Sequence, residues 1–262
     1  MCRIVVEAVN LATSQGVGVL FGRLFQPNGW RRLMYGWTQF RDWKAILAKQ
    51  YLSGSGLEIG ALHKPQAVNA GTRVTYVDRL DLNGLRAHYP ELSHLKLVDV
   101  DLVDDGETLG TVASASQDFI IANHCLEHCE NPLGTIRTHL EKLKPGGLLF
   151  YTLPDRKMTF DWKRANTPFE HLVAEDREGP QHTRLEHYRE WAQQVVGKKG
   201  ADIDATARQL MSEKYSIHFH CWDRASLRAF FDRARAHLHD RFSICECRDN
   251  GPETVVVLKR QG

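Results

Sequence analysis

Nowhere in the 262 residues does an apolar run last the roughly 18 positions that a membrane-spanning helix needs. The N-terminus makes a poor secretory leader, because Glu7, Asn10 and Gln15 break the apolar stretch and no clean small-residue cleavage site follows. Cysteine is sparse. Six in a chain of this length do not form a disulfide framework and fit reduced thiols, which points to a cytoplasmic protein. Net charge is nearly absent as well: 34 basic against 32 acidic residues leave +2, no footprint for binding nucleic acid. Internal repeats and low-complexity stretches are missing. With 42% hydrophobic residues, the chain has enough apolar material for a sizeable core.

What is present alternates between strands and helices. Short apolar or β-branched runs occur at Leu57–Gly60, Arg73–Asp78, Leu95–Val103, Asp118–Asn123 and Leu148–Leu153. Being apolar on both faces, they predict a parallel sheet covered by helices. Asn131 and Pro132 cap and start a helix with Leu133, Ile136, Leu140 and Leu143 at helical spacing, stopped by Pro145-Gly146-Gly147. A later helix begins near Asp223, with Leu227, Phe230, Phe231, Ala234 and Leu238 on its apolar face. Phe242–Arg248 and Thr254–Lys259, joined by Asp249–Pro252, must form an antiparallel hairpin, because so short a link cannot make a parallel crossover. Cys245 and Cys247 alternate in the first of these strands and are expected to face the same side. Residues 1–52 read as an N-terminal helical segment, basic and aromatic (Trp30, Tyr35, Trp37, Trp43), with peripheral membrane contact as a secondary expectation. Residues 53–262 read as one α/β domain. It is interrupted at about 156–215 by a polar, histidine-bearing insertion beside the ligand-binding edge of the sheet.

The chemistry starts at Glu58-Ile59-Gly60 and at Asp78, twenty positions after Glu58. A glycine turn admits a nucleotide to the backbone, and a carboxylate ending the second strand can accept ribose hydroxyls. Gly16, Gly18 and Gly22 imitate a dinucleotide fingerprint but lack an acidic partner at the right distance. His124, Cys125, His128 and Cys129 would be i,i+4 pairs on a helix. With His218, His220 and Cys221 they invite a metal reading, yet neither group has the spacing of a strong zinc site, and no metal is assigned.

The stretches LEIGALHKP (57–65), VTYVDR (74–79), DFIIANHCLEHCENP (118–132) and LEKLKPGGLLFYTLPD (140–155), with the C-terminal hairpin, resemble the class I S-adenosylmethionine-dependent methyltransferases. The resemblance implies a Rossmann-like seven-stranded sheet, mostly parallel, with helices on both faces and an antiparallel last strand. It implies S-adenosyl-L-methionine as cofactor. Glu58, Gly60, Ala61 and Leu62 would lie at its methionine and ribose part, Asp78 at the ribose hydroxyls, Asp101 and Leu102 by the adenine, and Asn123 and His124 at the methionine and acceptor. One departure stands out: Gly60 is followed by Ala-Leu-His-Lys-Pro rather than further glycines, and the first crossover helix is expected to shrink to a turn.

The expected activity is methyl transfer to a small-molecule or sugar/glycan acceptor, an O-methylation aided by a histidine base. His218, His220 and His124 lead the candidates, with His128 and His171 behind them. His218 and His220 would point one way if IHFHCW is extended. Trp162, Trp191 and Trp222 are candidates to stack on a sugar. A cofactor-binding but inactive protein, and a metal-dependent hydrolase using the histidine-rich segments, are the alternatives. Oligomeric state is left open.

Overall fold

The computed structural model describes residues 41–262. Gly16, Gly18, Gly22, Trp30, Tyr35 and Trp37 lie outside the described residues. Seven described strands make one sheet: β1 (Ser55–Ile59), β2 (Arg73–Asp78), β3 (Leu102–Val103), β4 (Gln117–Asn123), β5 (Leu143–Pro154), β6 (Phe242–Asn250) and β7 (Glu253–Arg260). Their order is β3-β2-β1-β4-β5-β7-β6. The first five run parallel, and β7 lies antiparallel between β5 and β6. The helices are α1 (Trp43–Tyr51), α2 (Leu82–His88), α3 (Pro132–Lys142), α4 (Phe169–Glu178), α5 (Arg184–Trp191), α6 (Ala201–Ser212) and α7 (Arg224–His237). None of the described helices is long and apolar enough to cross a membrane.

The two faces of the sheet carry separate cores. On one, Leu57, Ile120, Ala122, Leu149 and Tyr151 meet Leu133, Ile136 and Leu140 of α3 and Leu227, Phe230, Phe231 and Ala234 of α7. On the other, Phe119, Ile121, Phe150, Val255 and Val257 pack with Leu47, Ala48 and Leu52 in and after α1. That two-sided burial is why β4 reads as an unbroken apolar run. Trp43 opens α1, with the guanidinium groups of Arg41 and Arg248 at 5.7 and 5.4 Å from its ring centre.

Between β1 and β2 there is no helix, only turns, as the shortened link requires. The cover such a helix would give comes from α1, which shares its cluster with Val68 and Val74. The strand foreseen from Leu95 shrinks to Leu102–Val103, because Leu95, Leu97 and Val100 pack locally with Leu62, Leu85 and Leu92. Cys245 and Cys247 do not share a side. A bulge between Ile244 and Glu246 inserts one residue, so Cys245 packs on the α1 face and Cys247 on the α7 face. Leu126–His128 is a 3₁₀ turn rather than an α-helix, so the i,i+4 pairing of His124 with His128 is not made.

The insertion has its own small core. Tyr188 and Trp191 of α5, Ala192 and Val195 of the π-helical turn Ala192–Val196, and Ala207 of α6 pack with Ile217 and Phe219. Leu172 of α4 reaches the main core and ties the two together. Trp191 and Trp222 are buried in these cores and cannot stack on a ligand, whereas Trp162 is 43% exposed.

Candidate active site

The site is built at the C-terminal ends of β1, β2 and β4. Gly60 turns the chain out of β1 with φ +65° and donates its N–H to the Val77 carbonyl at 2.9 Å. Two positions later Leu62 also takes the left-handed region, at φ +52°. This costs a non-glycine residue roughly 1–2 kcal/mol. Leu62 is 6% exposed among Leu85, Leu92 and Leu97, and its carbonyl accepts the Val98 N–H at 2.8 Å. Burial of a leucine is worth about 1.5–3 kcal/mol, enough to hold the turn that a second glycine would make freely.

Glu58 lies beneath this loop. Both its oxygens accept the backbone N–H of Gln66, each at 2.9 Å, and Asn123 Nδ2 lies 3.5 Å from Oε1. Burial pushes the Glu58 carboxyl up to about 7, against the opposing effects of the Gln66 N–H, Lys44 and Asn123. Glu58 therefore anchors the loop that carries Gly60, Ala61 and Leu62. Asp78 ends β2, half-buried, with Oδ1 accepting the Arg79 N–H. Asp101 uses one carboxylate oxygen to accept the Tyr76 N–H at 2.8 Å, extending the pairing of β2 and β3. Its neighbour Leu102 packs against the main core. Asn123 ends β4 and accepts the Thr152 hydroxyl at 3.0 Å.

His124 follows with φ +51°. Its Nε2 donates to Glu253 Oε2 at 2.7 Å and its Nδ1 lies 3.2 Å from Glu127 Oε1. Burial works to lower the His124 pKa, but the two carboxylates outweigh it and raise it. Burial likewise opposes the charge of Glu127, yet His124, His128 and His218 hold its carboxyl at about 2. Glu253 is held at about 2, against burial, by His124 and Lys44. Glu127 and Glu253 escape a reading of the sequence alone. The first is one polar residue among histidines, and the second arrives from β7, opposite Pro154.

His218 and His220 part company. His218 is 3% exposed and donates Nδ1–H to Asp161 Oδ2 at 2.6 Å. Arg164 binds Asp161 at 2.8 Å and the carbonyls of His218 and Phe219 at 2.8 and 3.0 Å. Burial pushes Asp161 up, but His218 and Arg164 together keep it below the usual carboxylate range. The His128 ring stands edge-on to His218, at 4.6 Å between centroids, and both histidines gather around Glu127. His220 is fully buried elsewhere, with His171, Glu175 and His187. The backbone between them is not a regular strand, so alternation does not set their directions. A cavity of about 250 Å³ opens in the insertion, lined by Asn166, Thr167, His171, Glu186, His187 and Glu190 among others.

A family model described as a methyltransferase domain matches residues 43–234. The chain belongs to the class I S-adenosylmethionine-dependent methyltransferases. The methyltransferase sheet seen here has the expected mixed, mostly parallel form. Among solved structures, a SAM-dependent methyltransferase from Aquifex aeolicus is 12% identical, with a TM-score of 0.45 over 91% of this chain and 95% of that one. The plantazolicin methyltransferase BamL, solved with a triazolic desmethylPZN analog and SAH, is 10% identical, with a TM-score of 0.47 over 98% and 97%. The chain spans 66% of a matching Bordetella parapertussis protein and 54% of the CurJ carbon methyltransferase chain. No curated protein matches the methyltransferase in sequence.

S-adenosylmethionine is the cofactor of this methyltransferase. When bound, it supplies a methyl group made electrophilic by a sulfonium. The residues at the strand ends fit it: a left-handed glycine turn exposes backbone, a carboxylate ends β2, and an amide ends β4. Asp78 would hold the ribose hydroxyls, with Gly60 and Asn123 nearer the methionine.

Proposed function

We propose that this methyltransferase acts on a hydroxyl group of a small polar acceptor, a sugar or glycan unit, with His218 as the base. Transfer to a hydroxyl requires removal of its proton, a task suited to an imidazole. The observation that carries the reading is the 2.6 Å hydrogen bond from His218 Nδ1 to the buried Asp161. A carboxylate on Nδ1 fixes the tautomer in which Nε2 is the proton acceptor. Glu127 stands near His218 as well, but His124 is the more tightly held of the two, with a carboxylate within 3.2 Å of each ring nitrogen. His220 faces a different group of side chains.

The test is a labelled-methyl assay over a panel of sugars and small hydroxylated compounds, with calorimetric affinity for S-adenosylhomocysteine alongside. Loss of a general base costs about 10²–10⁴ in rate. His218→Ala should lose turnover on that scale with cofactor affinity intact, and Asp161→Asn should lower turnover and move the pH profile. A His218→Ala enzyme with undiminished turnover on the accepted substrate rules this base out.

A further inference from the structure

Away from the strand ends, four side chains from three parts of the chain turn inward on one point. His171 and Glu175 stand one turn apart on α4, His187 is on α5, and His220 lies in the segment before α7. Glu175 Oε1 is 2.8 Å from His187 Nε2 and 3.0 Å from His171 Nε2. Those two nitrogens are 3.1 Å apart. His220 Nε2 lies 3.4 Å from Glu175 Oε2. All four donor atoms fall within 4.8 Å of one another.

Hydrogen bonds alone do not account for this packing. The two nitrogens and Glu175 Oε1 form a triangle with all three edges near 3 Å, and a hydrogen on either nitrogen can lie along only one edge. Glu175 Oε2 is buried with no hydrogen-bond partner, the costly state for a carboxylate oxygen. His220 Nδ1 has no partner either, so only the Nε2 side orients that ring. A tetrahedral cation with bonds of 2.0–2.1 Å holds its ligand atoms about 3.3 Å apart. Glu175 Oε1 and the Nε2 atoms of His171 and His187 lie 2.8, 3.0 and 3.1 Å apart, slightly inside that value, and His220 Nε2 approaches the same carboxylate from its Oε2 side at 3.4 Å.

We propose that His171, Glu175, His187 and His220 bind one zinc ion in a closed four-ligand site. Three imidazoles with one carboxylate suit zinc, whereas magnesium and calcium take oxygen ligands. With four protein ligands no coordination position is left for a substrate, so the ion is structural. It staples α4 and α5 of the insertion to the segment that leads into α7. His171 and His187 also line the 250 Å³ cavity, so the ion fixes one wall of that cavity. The ligands are spread from residue 171 to residue 220, which is why no compact metal motif marks them.

The test uses the full chain, purified without a polyhistidine tag or chelator. Elemental analysis should find about one zinc per chain. After dialysis against a chelator, titration with zinc alone should restore that ratio and raise the melting temperature. Cobalt in place of zinc should show the intense visible absorption of tetrahedral coordination. Glu175→Gln and His187→Gln should each weaken zinc binding about 100-fold or more, since even indirect partners of a metal ligand are worth 10–100-fold. The exposed His94→Ala should bind zinc like wild type. Absence of zinc from the purified chain, together with no binding on titration, overturns the proposal without recourse to variants. So does zinc bound equally well by Glu175→Gln and His187→Gln, or a cobalt spectrum of octahedral type.

Discussion

Leu62 and His124 both hold left-handed backbone near the strand ends, one in the loop after β1 and one between two carboxylates. In each case the surroundings over-determine a conformation that the residue alone disfavours, as is common where a site must be held still. Asp78 has a different character: half-buried, at a strand end, outside both apolar cores. Hydrogen bonds from ribose hydroxyls to a charged acceptor are worth roughly 1.5–3 kcal/mol each, though two on one carboxylate need not add. Asp78→Ala should therefore weaken S-adenosylhomocysteine binding about tenfold to a few hundredfold, with circular dichroism unchanged. Wild-type affinity in that variant would remove the ribose role from Asp78. The placing of Gly60 and Asp78 at the ends of β1 and β2 was legible in the sequence, because a glycine turn and a strand-ending carboxylate are signals of residue type. Gln66 and Leu62 were not, since a backbone N–H carries no residue signature and a leucine at positive φ contradicts its own preference.

At the scale of elements, the local signals that held were helix starts and the hairpin turn, whereas α3 ends at Lys142 and the expected stop Pro145-Gly146-Gly147 falls inside β5. Asn131 caps α3 by accepting the Gly134 N–H, Pro132 starts it, and the hairpin forms around Gly251. What failed were expectations that needed a neighbour's position. The bulge that turns Cys245 away from Cys247 is set by pairing with β7, and the short β3 by a leucine cluster beside it. The cap of α7 gives an element-level test. Asp223 accepts the Ser226 N–H at 3.0 Å and meets Lys157 Nζ at 2.7 Å. Loss of an N-cap costs about 0.5–2 kcal/mol. The Lys157 side chain is 61% exposed, and such pairs are worth about 1 kcal/mol or less. Asp223→Ala should thus lower the unfolding free energy in urea by about 1–2 kcal/mol, while Asp223→Asn, which keeps the capping oxygen, recovers most of it. Equal losses in the two variants would assign the stabilisation to charge instead.

Over the whole molecule, two buried groups, His139 on α3 and Glu58 on β1, pull stability in opposite directions with pH. Burial depresses His139 to about 4, and its ring stays neutral between the Tyr151 hydroxyl at 2.8 Å and the Gly106 carbonyl at 2.7 Å. Unfolded, it takes up a proton below about 6.5, so its contribution is lost as pH falls from 6.5 towards 4. Glu58 does the reverse. The unfolded carboxyl releases its proton above about 4.5, but burial holds it in the folded chain up to about 7. Folding takes up a proton in that window, and stability falls as pH rises through it. The two slopes oppose each other between about 4.5 and 6.5, so the wild-type profile isolates neither. Glu58→Gln removes one of them and keeps an amide oxygen for the Gln66 N–H. Each pH unit of the Glu58 window is worth up to about 1.4 kcal/mol. The variant should therefore gain about 2–3 kcal/mol on wild type between pH 5 and pH 7.5, roughly 5–10 °C in melting temperature for a domain of this size. Thermal unfolding of both proteins without cofactor, followed by circular dichroism across that range, measures the difference directly. Melting curves that stay a constant interval apart from pH 5 to 7.5 would show that Glu58 is ionised beneath its loop throughout, and the carboxylate would then have to be balanced by Lys44 and Asn123 rather than by a proton.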